Sequence, residues 1–423
     1  MTRFSRSPLR LIHLLVPLAL AAMLLPALAG QAQAQEDEPI LIGQNFWAVP
    51  WGGSDPFQPG FRDVEGPDPF KPGFIEEVTP YHIIRFMDWN HTNSHVGEKE
   101  GFQVDDFEWM SRKQKDDPNQ MLVAYEWQVD AANRTNSHGW FNVPEGVNAD
   151  YCLRLAILVK TGVDMLDIDL APYQGKLDTM TAEDFVEAGG KQTGDPLAEH
   201  LRAYLEFSNE TWLFQWDDMK RLGEEMGLGP NEYHAYMSVR LFDAFEQVFG
   251  EDSERIRTVM AGQAGNWWHG DKRLEPIYDE NHPRHDVINP GLIDGVDAYA
   301  IATYWGESPR EQLDRWLKHK SKVVDKYDVD FYFYEGGNGD AMPKGGVGLG
   351  PVKDPAMYDA YEVYFRTLRE AGFTEGCHYM HSGGREWACI PENGVGIDRA
   401  REYSKYRALV DHAAKTPLPG EGE

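Results

Sequence analysis

Eight apolar, β-rich runs alternate with amphipathic helical stretches along this chain, and that alternation constrains its fold more than any other feature. The runs lie over residues 40–49, 81–89, 140–144, 202–209, 256–261, 296–304, 329–334 and 376–381. Helical periodicity falls over residues 121–133, 150–162, 212–226, 232–249, 310–327, 355–371 and 399–414. Strands that alternate with helices pack as a parallel sheet with crossover helices, and eight of them suit a closed (β/α)8 TIM barrel. An open, doubly wound sheet is the rival, and it carries a Gly-rich turn after its first strand. Here the first run leads into Pro50-Trp51-Gly52-Gly53, which lacks the GxGxxG spacing. The expectation is an α/β fold: one barrel domain over residues 35–416, with long loops on the C-terminal face of the strands.

Both chain ends read differently from the middle. Arg3, Arg6 and Arg10 precede an apolar run from Leu11 to Leu28, and Ala32-Gln33-Ala34 fits a small-x-small cleavage site. Residues 1–34 therefore read as a secretory signal peptide, with an uncleaved anchor as the alternative. No later segment approaches the ~20 apolar residues of a membrane span. The expected protein is secreted or periplasmic, free of the membrane after cleavage, with a disordered tail over 417–423. Two loops are expected on the C-terminal face of the strands, the first reading equally as a substrate wall or as decoration without ligand contact. One holds the repeat Asp55-Pro56-Phe57-Gln58-Pro59-Gly60-Phe61 and Asp68-Pro69-Phe70-Lys71-Pro72-Gly73-Phe74, stiffened by its prolines. The other spans 90–118 and is rich in charge.

Acids outnumber bases 69 to 40, for a net charge of −29. Such a surface repels nucleic acid and acidic lipid, and it disfavours a strongly polyanionic substrate. Three cysteines are too few for a disulfide scaffold. In an oxidising compartment Cys377 and Cys389 can pair across a short loop, leaving Cys152 buried in an apolar helix. The chain has no CxxC, HExxH or His-x-His motif, so neither a metal nor a cofactor is expected.

Chemistry concentrates in two segments, Leu205-Glu206-Phe207-Ser208-Asn209-Glu210-Thr211-Trp212 and Phe331-Tyr332-Phe333-Tyr334-Glu335-Gly336-Gly337. Each is an aromatic, strand-like run that ends abruptly in a carboxylate. A carboxylate there is poorly placed for packing and well placed for chemistry. Paired carboxylates across a scissile bond are the working parts of glycoside hydrolysis. In a retaining mechanism Glu335 attacks the anomeric carbon, while Glu210 protonates the leaving oxygen and then activates water. The acid must keep its proton near neutral pH, which burial or a neighbouring negative charge achieves. Taken singly, either Glu reads first as an N-cap or a loop salt bridge; it is the two together, in this aromatic setting, that point to catalysis. Aromatic residues make up 12% of the chain, a composition that suits stacking on sugar faces. Trp267, Trp268 and Trp305 can stack sugars, pack in the core or anchor loops; Trp89 and Trp140 stand near even between plain core and another role. His91, His95 and His269 read as polar loop residues, and Asp88 as a strand-end cap.

The run Phe207-Ser208-Asn209-Glu210, followed by Trp212, resembles the Asn-Glu signature on strand four of the retaining (β/α)8 glycoside hydrolases of clan A. The resemblance implies an acid/base at the end of strand four, which is Glu210, and a nucleophile at the end of strand seven, which is Glu335. It implies that Asn209 meets the sugar 2-hydroxyl and that Arg85, in Ile84-Arg85-Phe86, orients the nucleophile. Tyr304, in Ala302-Thr303-Tyr304-Trp305, matches an aromatic residue that touches the nucleophile. Trp212, Trp268 and Trp305 are the further candidates for substrate contact. The pieces Arg85–Trp89 and Phe207–Trp212 also resemble exported bacterial carbohydrate-active proteins. One departure stands out: the clan often presents Trp at the end of strand eight, and here that place reads Met380-His381-Ser382, with Trp387 later. The implied function is an exported retaining glycosidase that cleaves β-glycosidic bonds of a poly- or oligosaccharide. A non-catalytic carbohydrate-binding protein on the same scaffold is the other reading, because fold does not fix function.

Overall fold

The computed structural model describes residues 40–46, 70, 71, 73–90, 92, 123–213, 215–339, 351–383 and 387–415. The leader, the tail, the first copy of the Pro-rich repeat and most of the 90–118 loop lie outside these residues, as do His91, His95 and the side chain of Asp88.

Eight parallel strands close a barrel: β1 (Leu41–Asn45), β2 (Ile83–Arg85), β3 (His138–Val143), β4 (Ala203–Phe207), β5 (Ile256–Gly262), β6 (Ala298–Trp305), β7 (Asp330–Asn338) and β8 (Glu375–His378). Each strand bonds to its neighbour in sequence, and β8 closes onto β1 in the register Leu41–Glu375 to Gln44–His378. The expected (β/α)8 TIM barrel is therefore the fold. Four of the surrounding helices matter below: α1 (Ala149–Thr161), α2 (Pro230–Phe249), α3 (Trp268–Tyr278) and α4 (Pro355–Ala371). Their ends follow local chemistry. Asn148 caps α1 by accepting from the Tyr151 N–H, and Gly162 closes it in the left-handed region at φ 73°. Asp354 caps α4, with Pro355 at its first turn. Among the described residues no helix is long and apolar enough to cross a membrane.

The period-2 pleat divides each strand between two cores. Inward side chains, including Ile83, Trp140, Tyr204, Val259, Tyr332 and Cys377, pack together inside the barrel. Outward ones such as Leu205, Phe207, Phe331 and Phe333 join the larger core beneath the helices. Strand β7 breaks the pattern once. Ile301 pairs with Phe333, and the next residue, Ala302, pairs with Glu335, so Tyr334 is an extra residue in a β-bulge. Without that bulge Glu335 would share the outward face of Phe333.

Several boundaries differ from expectation. β2 is only three residues long, and Met87–Asn90 coils into a single 3-10 turn. β4 stops at Phe207, three residues before Glu210, while β7 continues three residues beyond Glu335. Helix α3 occupies a stretch outside the expected helices, and it carries Pro276, a residue that argues against a helix interior. The cysteines do not pair: Cys152, Cys377 and Cys389 are all free and buried. Cys377 points into the barrel interior, whereas Cys389 belongs to the outer core. A short sequence separation is thus cancelled by opposite faces of one sheet.

Candidate active site

The turn after β4 is held in an unusual backbone shape. Ser208 and Glu210 both adopt left-handed conformations, φ 59° and 41°, which a residue with a Cβ enters at about 1–2 kcal/mol each. The turn is tied on both sides. The Ser208 N–H donates to the Val143 carbonyl at 2.6 Å, and the Leu213 N–H donates to the Glu210 carbonyl at 2.8 Å. The Asn142 amide, from the end of β3, donates to the Ser208 carbonyl at 3.0 Å. Glu210 lifts away from the strand at the barrel mouth.

Glu335 reaches the same place by a different route. The β7 bulge turns its side chain inward, where Oε1 accepts from Arg85 Nη1 at 3.1 Å and from Asn45 Nδ2 at 3.3 Å. Its Oε2 accepts from the Tyr304 hydroxyl at 2.8 Å. Among the described residues Glu210 has a single such partner: the Tyr334 hydroxyl donates to its Oε1 at 3.4 Å. The two carboxylates thus sit at adjoining places in very different company.

Arg85 organises the cluster. Fully buried, it forks onto Glu206, from Nε at 2.9 Å and Nη2 at 3.0 Å, and Nη2 also donates to Asn209 Oδ1 at 2.8 Å. Trp140 Nε1 donates to Glu206 Oε2 at 2.8 Å. The guanidinium lies 5.1 Å from the Tyr334 ring and 5.6 Å from the Trp140 ring. One cation therefore anchors Glu206 below and Glu335 above. Burial works against its charge, but Glu206 and Glu335 outweigh burial and hold its pKa above the usual value.

These surroundings set the protons. Burial, then the Glu335 charge, pushes the Glu210 carboxyl up to about 8, with Arg85 opposing. Burial also raises Glu335, against Arg85, Tyr304 and Asn45. Among the described residues Glu335 has a cation and two neutral donors, while Glu210 has one hydroxyl, so a proton shared by the pair rests on Glu210. Burial raises the Tyr304 and Tyr334 hydroxyls, aided by Glu335 and Glu210 respectively, so both stay protonated and able to donate.

The other expected site residues are scattered. Asn209 is buried against Arg85, and Trp212 is half-buried with its ring 6.2 Å from Tyr334. Trp268 opens α3, is 43% exposed, and meets the His269 ring edge-on. Trp305 is a correction. Tyr304 faces Glu335, so the pleat sends Trp305 to the outer core, where it packs edge-on against Tyr361 of α4 at 5.8 Å. At 3% exposure it is wall, not sugar platform. Of the less favoured residues, Trp89 is core, and burial and then Arg273 draw His269 down to about 4. Sequence reasoning missed Glu206, Asn45, Tyr334 and the donor role of Trp140. Glu206 alone carried a signal: it shares the inward parity of Tyr204, and an acid inside a barrel needs a cation.

No family model matches the chain, and no curated protein matches it. Solved structures do resemble it. An α-L-arabinofuranosidase from Thermotoga maritima, determined as an arabinose complex, aligns over 90% of this chain and 72% of its own, at 12% identity and a TM-score of 0.52. The family 51 α-L-arabinofuranosidase AbfB from Bifidobacterium longum aligns over 89% and 74%, at 11% identity and a TM-score of 0.51. At such identities the likeness is one of fold, and the fold shared is the (β/α)8 barrel described above.

Proposed function

We propose that this chain is an exported retaining glycoside hydrolase, with its working domain over residues 35–416. Glu335 is the nucleophile and Glu210 the acid/base. The observation that carries this reading is the unequal treatment of the two carboxylates. Arg85, Tyr304 and Asn45 hold Glu335 in one orientation, as attack on an anomeric carbon requires. Glu210 is buried beside that charge and keeps its proton until about pH 8, as protonation of a leaving oxygen requires. Glu335 then forms the glycosyl–enzyme bond as the C–O bond to the leaving group breaks. The Glu210 proton leaves with that oxygen. Glu210, now a base, takes a proton from water as the water displaces Glu335. Arg85 is fully buried, so it orients Glu335 without touching sugar. Tyr304, Trp212 and Trp268 are the substrate contacts still open to the cleft or solvent, and Asn209 is the residue beside Glu210 assigned to the 2-hydroxyl.

The acidic surface favours a neutral over a polyanionic substrate, and we take that substrate to be a β-linked poly- or oligosaccharide. Because the solved barrels above are named for α-L-arabinofuranosides, such glycosides join the test panel. Mature protein and Glu335→Gln are assayed against β-glucans, xylans, mannans, galactans and aryl arabinofuranosides. Turnover by the wild type and a loss of roughly 10³-fold or more in the variant, with unchanged thermal unfolding, is the expected outcome. A fully active variant sinks the nucleophile assignment. NMR of the first-formed product should show the anomer of the substrate; the opposite anomer refutes retention. No release from any glycan, with retardation on one of them in a gel, would favour a binding protein instead.

A further inference from the structure

Next to Glu210 the chain buries a second guanidinium, and this one has no carboxylate within ion-pair distance among the described residues. Arg273, in the second turn of α3, is 1% exposed. Its Nη2 donates to Thr211 Oγ1 at 2.7 Å, its Nη1 to the Ala261 carbonyl at 2.7 Å, and its Nε to Asn231 Oδ1 at 3.2 Å. Nη1 also lies 3.4 Å from His234 Nε2, and the guanidinium carbon Cζ lies 5.1 Å from the Trp212 ring. An arginine only donates, so His234 Nε2 accepts. Its Nδ1 then carries the ring proton and donates to Thr211 Oγ1 at 3.2 Å. Burial, then Arg273, holds His234 well below the usual imidazole range, so the ring stays neutral in that tautomer.

Packing alone does not account for this arrangement. A charged group buried among neutral acceptors is disfavoured, and an apolar side chain of similar volume would fill the space. What the guanidinium uniquely does is reach several elements together: the turn after β4 through Thr211 and Trp212, the end of β5 through Ala261, and the first turn of α2 through Asn231. The turn it grips contains Ser208 and Glu210 in left-handed backbone. Strained residues persist only where the surroundings over-determine them. Asn142 and Val143 hold the Ser208 side of the turn. Arg273 and His234 hold the far side, at the residue directly after Glu210.

We propose that Arg273 is a positioning residue: through Thr211 and Trp212 it clamps the strained turn and aims Glu210 into the buried cleft beside Glu335. The kinetic consequence rests on the acid/base reading of Glu210; the geometric claim does not.

The full chain is labelled with side-chain carboxyl ¹³C glutamate, and the Glu210 signal is identified by its loss in Glu210→Gln. Its titration is then followed in wild type, Arg273→Met and Thr211→Val. If Arg273 acted only as a nearby positive charge, its removal would raise the Glu210 midpoint. If it is a clamp, Glu210 leaves its buried place beside Glu335, and the midpoint falls toward the ordinary 4.5. A drop of at least about one pH unit in both variants is expected. An unchanged or raised midpoint in a folded variant overturns the proposal. Thr211→Val keeps the side-chain shape, so it decides the question if Arg273→Met does not fold. The readout needs no turnover, so a chain that hydrolyses nothing would sink the function proposed above and leave the clamp still decidable. Where turnover is measured, clamp loss should slow glycosides with poor leaving groups and spare dinitrophenyl glycosides, which need no acid. Equal slowing of both would count against it.

Discussion

At Glu210, burial and the charge of Glu335 act in the same direction, and the folded chain bears the consequence. The carboxyl titrates near 8 in the fold against 4.5 when free. Between those values the folded state binds the proton and the unfolded state does not, so stability falls as pH rises from about 4.5 through 8. Glu210→Gln removes that dependence. Its melting temperature should exceed that of the wild type by several degrees at pH 8–9 and by less at pH 4, as scanning calorimetry would show. An equal shift at both pH values would mean that Glu210 is not the group responsible. Activity should likewise fall as pH rises through about 8, where the acid form disappears. Both carboxylates were legible as residues, because an acid at the tip of an aromatic run has no packing role. Their partners were harder to read. Tyr304 and Trp305 are adjacent aromatics, and only the phase of the pleat decides which meets Glu335 and which meets Tyr361.

Among the elements, β7 carries the most specific local engineering. Its bulge delivers Glu335 to the interior, and the two glycines that follow let the strand run between crowded neighbours. Gly337 sits at φ 119°, and a Cβ there would lie 2.4 Å from His378 Nε2 and 2.9 Å from the Tyr361 hydroxyl. His378 and Tyr361 are themselves bonded at 2.7 Å, so neither yields easily. Gly337→Ala should therefore destabilise the fold by about 1–3 kcal/mol. Urea unfolding would report this as a lower midpoint at unchanged slope; an unaffected midpoint would show that the strand can shift freely. Eight strands were readable because alternation of type survives local irregularity. Their limits were not. A bulge resets parity, a three-residue β2 gives too few positions for a pattern, and Pro276 argues against the helix interior it occupies in α3.

For the whole molecule, the two cores explain why the cysteines stay apart. Burial raises the Cys152 thiol to about 12, and it pushes Cys377 and Cys389 up as well. Thiols so held are poor nucleophiles. The native protein should react with none of its three thiols in an aromatic disulfide assay at pH 8, and with all three once unfolded in denaturant. A single reactive thiol after unfolding would instead reveal the 377–389 bridge. The interior core has one more consequence. Trp140, Tyr204 and Tyr332 close the barrel below Arg85, and the Tyr204 hydroxyl is bonded to Glu375 at the opening of β8. The barrel is thus a blind well rather than a tunnel. Among the described residues the floor offers no way out, so any molecule that comes to rest beside Glu210 and Glu335 arrives and departs on the side where the strands end.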